Sequence, residues 1–137
     1  MTIFEKIVNK EIPSYTLYED DLVMAFLDIS QTTKGHTLVI TKKPYENIFE
    51  VPSEEFKHLM DVVQTLSFAI NKAFKPAGLN LVNNNGKSAG QTVFHYHVHI
   101  VPRYESDSFE INYTNNSDSV SVDEYQKRAA LIKTALL

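Results

Sequence analysis

Val93-Phe94-His95-Tyr96-His97-Val98-His99-Ile100-Val101 alternates without a break. Alternation with a period of two marks a β-strand, whose successive side chains point to opposite faces. The stretch predicts a strand over 93–101, with Phe94, Tyr96, Val98 and Ile100 on an apolar face and His95, His97 and His99 on the other. Same-face neighbours on a strand lie roughly 7 Å apart, so three imidazoles in register can grip one small polar object. Near neutral pH an imidazole can act as nucleophile, general acid or hydrogen-bond donor, and it can also ligate a metal. The row therefore reads as a catalytic site, as a zinc- or nickel-type site, or as a solvated polar face. No carboxylate stands at short spacing beside it, which weakens the metal reading.

The residues on either side sharpen the choice. Upstream, Asn83-Asn84-Asn85-Gly86-Lys87-Ser88-Ala89-Gly90-Gln91-Thr92 is a Gly- and amide-rich turn running into the histidine strand. Its backbone N–H groups, with Gln91 and Thr92, could hold an anion. Such loops are mostly plain turns; beside three histidines this one suggests a phosphate site. Lys87 reads as a solvated loop residue. Asp28 closes the apolar run Met24-Ala25-Phe26-Leu27. It could accept hydrogen bonds from a diol such as ribose, or simply serve a turn or cap. His36 stands before a further strand and, taken singly, reads as structural. His58 falls in a long helix away from most of its apolar stripe and reads as solvent-facing.

The remaining elements follow from patterning. Residues 3–10 form a short amphipathic helix. Residues 15–18 and 22–28 form a hairpin around Glu19-Asp20-Asp21, and 37–41 a third strand. Phe56, Leu59, Met60, Val63, Leu66, Ile70, Ala73 and Phe74 recur at helical steps, with Ser53 as the expected cap and Pro76 and Gly78 at the end. Residues 79–83 make a short strand. Tyr113–Ser121 reads as a polar surface loop. Ser121 with Glu124 is a capping-box pattern opening a C-terminal helix with Val122, Tyr125, Ala129, Ile132 and Leu136. This order predicts an α+β fold with a mainly antiparallel sheet.

Composition sets the outer limits. A chain of 137 residues with 43% hydrophobic side chains is expected to form one domain with a sizeable core. Its 13 basic against 17 acidic residues give a net charge of −4, a poor match to non-specific nucleic-acid binding. No run approaches the about 18 apolar residues of a membrane span. The N-terminus lacks the basic-then-apolar order of a signal peptide, so the cytoplasm is the expected location. The absence of cysteine excludes disulfides, thiolate zinc sites, iron–sulfur clusters and thiol nucleophiles.

His95-Tyr96-His97-Val98-His99-Ile100-Val101 resembles the His-φ-His-φ-His-φ-φ signature, φ being apolar, of the histidine triad (HIT) proteins. Ile3-Phe4-Glu5-Lys6-Ile7-Val8, Glu11-Ile12-Pro13, Tyr18-Glu19-Asp20, Ala25-Phe26-Leu27-Asp28-Ile29, Gly35-His36-Thr37-Leu38-Val39-Ile40 and Gly90-Gln91-Thr92-Val93 are similar to the Hint branch of that family. The resemblance covers roughly 2–103 and leaves 104–137 as a C-terminal extension.

It implies a HIT-like α+β fold, usually a homodimer, and a nucleotide hydrolase or nucleotidyl transferase acting on purine nucleoside phosphoramidates or related conjugates. His97 would be the nucleophile on the α-phosphorus, His99 would contact the phosphate, His95 would orient the site, and His36 would support the cluster. Asn84, Gln91 and Thr92 match positions around the phosphate, Asp28 the ribose carboxylate, and Ile3, Phe4, Phe26 and Ile29 the base pocket. A dinucleoside polyphosphate hydrolase and a non-catalytic nucleotide-binding module are the alternatives. No cofactor is expected. Many bacterial relatives bind a structural zinc through an N-terminal Cys-x-x-Cys, a later histidine and the first triad histidine; here Thr2, Glu5 and Lys43-Pro44 stand at those places, so no metal is expected.

Overall fold

The computed structural model describes residues 1–136. Five antiparallel strands form one sheet in the order β1-β2-β3-β5-β4: β1 (Thr16–Glu19), β2 (Val23–Leu27), β3 (Thr37–Thr41), β4 (Gly78–Val82) and β5 (His97–Arg103). Helices α1 (Ile3–Val8), α2 (Ser53–Phe74) and α3 (Val122–Ala135) complete the architecture.

The central strands are apolar on both faces because both faces are covered. Val23, Ala25, Val39, Val98 and Ile100 pack with Leu59, Val62, Val63 and Ile70 of α2. The alternate residues Met24, Phe26, Leu38 and Ile40 pack with Phe4 and Ile7 of α1. Since Val98 and Ile100 face α2, strand parity turns His97 and His99 toward the α1 side.

Several local expectations shift. β5 begins at His97, not at residue 93. The Tyr96 N–H bonds the Tyr45 carbonyl at 2.7 Å, and Val93–His95 form a bend that leaves Phe94 41% exposed rather than on the face shared by Tyr96 and Val98. Ser53 does not cap α2. It is the first helical residue, with Pro52 in the cap position and no side-chain cap bond, while Glu54 and Glu55 complement the positive end of the helix. His58 is half-buried and bonds Asp20 Oδ2 at 2.5 Å, so it is not a free surface residue. Thr2 and Glu5 form a full capping box that starts α1. The Ser121 hydroxyl caps α3 by accepting the Glu124 N–H, but α3 buries none of its residues.

One glycine matters for the site. Gly35 has φ +94°, and a Cβ there would meet the Phe74 ring at 2.9 Å. The end of α2 thus packs directly on the turn that delivers His36 to the start of β3. Among the described residues no helix is long and apolar enough to cross a membrane.

Candidate active site

β5 carries His97 and His99, the bend before it carries His95, and the residue preceding β3 is His36. His36, His95 and His97 are buried. The four rings form a chain in which hydrogen bonds to groups of fixed polarity settle each proton. A backbone carbonyl only accepts, so His95 Nε2 donates to Thr41 O at 2.6 Å and His97 Nδ1 donates to His95 O at 2.6 Å. His95 Nδ1 is then an acceptor for the Thr2 hydroxyl at 3.0 Å. A backbone N–H only donates, so the contact from Thr32 N at 3.3 Å makes His36 Nδ1 an acceptor. His36 Nε2–H therefore donates to His99 Nδ1 at 2.9 Å. His97 Nε2 is left with a free lone pair, and His99 Nε2 with a free N–H.

Electrostatics keep the rings neutral. Burial lowers the pKa of His36, His95 and His97 from 6.5. Burial, followed by repulsion from His97 and His36, pushes His99 down to about 4. Burial works against the Asp28 charge, yet the Ser30 hydroxyl and N–H, with the nearby imidazoles, hold its carboxyl below the ordinary range. Asp28 Oδ1 takes both Ser30 bonds, at 2.8 and 2.6 Å, while Oδ2 lies 3.7 Å from His36 Nε2.

Beside the histidines opens a cleft of about 310 Å³, lined by Ile3, Phe4, Phe26, Asp28 and Ile29 among others. The resemblance assigns Ile3, Phe4, Phe26 and Ile29 to the base and Asp28 to the ribose; Tyr15 and Val93, which it assigns to neither, also line the cleft. Phe4 joins cleft and cluster, meeting His97 edge-on with centroids 5.0 Å apart. Ile29 is 89% exposed and stands at the rim.

The loop residues divide. Thr92 is exposed at the mouth of the bend, and Asn84 makes one long bond to Gly90 O at 3.5 Å. Gln91 is buried, and its amide is saturated by the backbone: Oε1 accepts the Gly86 N–H at 2.7 Å, and Nε2 donates to Glu46 O at 2.7 Å and Val93 O at 3.1 Å. Its side chain braces the loop, with both amide N–H groups taken by backbone carbonyls.

Two metal arrangements can be weighed. The donor atoms of Asp28, His36 and His99 lie within 4.8 Å of one another. An ion there would have to break the His36–His99 bond. A structural zinc beside His95 does not fit, because Thr2, Glu5 and Pro44 are not a zinc donor set and both His95 nitrogens are already bonded.

The model of the HIT domain family matches residues 9–106. The protein named "Protein hit" of Bacillus subtilis is 47% identical over 135 residues, covering 98% of this chain and 93% of its own. Adenylylsulfatase HINT3 of Arabidopsis thaliana is 37% identical over 122 residues, covering 89% of this chain and 62% of that protein. The crystal structure of a HIT family protein from Bacillus anthracis superposes with a TM-score of 0.93 at 44% identity, covering 98% of this chain and 96% of that one.

Proposed function

The chain belongs to the HIT domain family, and from that membership and the state of His97 we propose a nucleotide hydrolase or nucleotidyl transferase that acts on purine nucleoside phosphoramidates or related conjugates. The observation that carries the reading is the 2.6 Å bond from His97 Nδ1 to the His95 carbonyl. Burial holds the ring neutral, and in the neutral ring this bond leaves the lone pair on Nε2, the form a nucleophile requires.

In the proposed reaction the purine sits in the apolar cleft and Asp28 Oδ2 accepts from the ribose hydroxyls. His97 Nε2 attacks the α-phosphorus in line; the N–P bond forms as the bond to the leaving amine breaks, the amine departing with a solvent proton. His99 Nε2–H and backbone N–H groups of the 86–92 loop stabilise the phosphoryl oxygens, and a well-placed donor is worth about 3 kcal/mol in such a transition state. Water then attacks the nucleotidyl-histidine: the O–P bond forms as the P–N bond breaks, the electron pair returns to Nε2, one water proton passes to solvent, and the nucleoside monophosphate is released. Two inversions give net retention at phosphorus.

The reading includes a homodimer. β4 ends the sheet with its outer edge unpaired, and the adjoining surface shows Phe68 at 70% and Leu81 at 48% exposure. An open edge flanked by apolar side chains favours pairing with another chain.

The test is single-turnover cleavage of an adenosine phosphoramidate. His97→Ala is expected to lose turnover by several orders of magnitude while still binding the nucleotide, and His97→Gly to regain part of it with added imidazole. Wild-type rates in His97→Ala would reject the reading.

A further inference from the structure

Helix α3 is well made, yet the described residues of its own chain bury none of its side chains. Ser121 caps it and Glu124 pairs with Arg128 at 2.9 Å, but no residue of the helix is buried. Val122, Tyr125, Ala129, Ile132 and Leu136 fall at alternating three- and four-residue steps, the spacing of a single seam. Val122 is 70% exposed, Ile132 66% and Leu136 79%. A helix of 14 residues is marginal in water unless its apolar stripe packs on something.

Two observations say what that something is. The first is where the arm 104–121 begins. Arg103 Nη1 donates to Asn80 Oδ1 on β4 at 2.8 Å, Arg103 pairs with Asp107 at 3.0 Å, and its guanidinium stacks on Phe109. The arm therefore leaves the fold beside the open sheet edge, where a second copy would pair. The second is the superposition on the Bacillus anthracis protein. Residues 104–136 are about a quarter of the chain, so a TM-score of 0.93 over 98% of it requires arm and helix to lie in the same place in both. A helix that its own chain does not bury, but that keeps one position in a relative's crystal, is held from outside the chain.

We infer that the holder is a second copy of this chain: the arm crosses to the partner protomer, and α3 lays its Val122–Tyr125–Ala129–Ile132–Leu136 seam on it, in both directions. The inference rests on the homodimer reading above and adds a role for the last quarter of the sequence. An arm of this length can reach about 60 Å, while five strands span only about 24 Å. Exchange in both directions is what a two-fold interface produces. The polar side of α3 mixes Asp123, Glu124, Lys127, Arg128 and Lys133, unlike the basic face of a helix that lies on a membrane.

The experiment measures sedimentation and amide hydrogen exchange on the full chain, with Phe68→Asp and Ile132→Asp as variants. The wild type is expected to be a dimer whose α3 amides are protected and lose that protection on dilution to monomer. Ile132→Asp should raise the dimer dissociation constant about tenfold or more and deprotect α3 without changing exchange in β2 and β3. A dimer abolished by Phe68→Asp but indifferent to Ile132→Asp, or one with unprotected α3 amides, overturns the arm exchange and leaves the homodimer standing. A wild type that is monomeric throughout the micromolar range overturns both. Protection of α3 in the monomer, or only on adding anionic vesicles, overturns the exchange by naming another holder.

Discussion

The Thr2 hydroxyl lies 3.0 Å from Nδ1 of His95, 93 residues further along the chain. Because His95 Nε2–H is committed to Thr41 O, the hydroxyl must donate, and its lone pairs remain to accept the Glu5 N–H at 3.1 Å. One side chain thus caps α1 and holds the ring whose own carbonyl accepts the His97 Nδ1–H. At the place where the resemblance puts a metal ligand in many relatives, a hydroxyl ties the helix to the triad. Thr2→Val keeps the shape and removes both bonds. It should destabilise the fold by about 1–3 kcal/mol and lower kcat more than it changes KM, with Thr2→Ser restoring most of both. Urea denaturation and steady-state kinetics check this; an unchanged midpoint together with an unchanged kcat would remove Thr2 from the site.

The acid side of the pH profile should be displaced. Burial lowers the pKa of His97, and burial with the two neighbouring imidazoles brings His99 to about 4. The acidic limb of kcat/KM is expected well below the 6.5 of a free imidazole. Stability follows the same sign. Between pH 6.5 and about 4 the unfolded chain protonates these histidines while the folded cluster does not, so the unfolded state binds more protons and stability falls as the pH is lowered through that window. Each unit of depression is worth about 1.4 kcal/mol. Asp28, held below the ordinary carboxylate range, titrates beneath the window. Denaturation curves from pH 4 to 7, compared with those of His99→Gln, should show a shallower slope in the variant; a kinetic limb at 6.5 would contradict the neutral cluster.

His36 acts through His99. Its Nε2–H forces the proton of His99 onto Nε2, the atom proposed to face the phosphate. In His36→Ala that constraint disappears and the ring is free to take the other tautomer. The expected outcome is a fall in kcat of about tenfold or more, the equivalent of one hydrogen bond to the reacting group, with KM nearly unchanged. His36→Gln, which retains an N–H, should recover part of the rate. Ring nitrogen chemical shifts of His99 report the tautomer directly; a His99 that keeps Nε2–H in the alanine variant would show that His36 is not what positions it.

What the sequence disclosed and what it hid divide along the range of the interactions. The parity of His97 and His99, the hairpin closed by Asp20 and the Ser121 cap are local, and they are written in adjacent residues. The start of β5 is not, because it depends on Tyr96 bonding to Tyr45 and on Gln91 reaching Glu46. For the same reason His58 looked solvent-facing: its partner Asp20 is 38 residues away. The place of Gln91 next to the triad is local, but the bonds of its amide to the Gly86 N–H and the Glu46 and Val93 carbonyls are not all written in adjacent residues. The seam of α3 is legible as a stripe, but a stripe does not name the surface that covers it.

Asp28 offers the clearest separation of binding from chemistry. Asp28 lines the cleft and Ser30 occupies Oδ1, so in the proposed reading Oδ2 is the oxygen left for a diol. Asp28→Asn preserves size and, with Oδ1 retained, the Ser30 bonds, but it replaces the outward acceptor with an amide that donates. A contact made equally in ground and transition states appears in KM and not in kcat. The variant should therefore raise KM about tenfold for a ribonucleoside phosphoramidate, with kcat within a few-fold of wild type. For the 2′,3′-dideoxy analogue, which lacks the hydroxyls, wild type and variant should have similar KM values. Kinetics with the two substrates on the two proteins complete a double comparison. Equal KM increases with both substrates would mean that Asp28 acts through its 3.7 Å approach to His36 and not on the ribose.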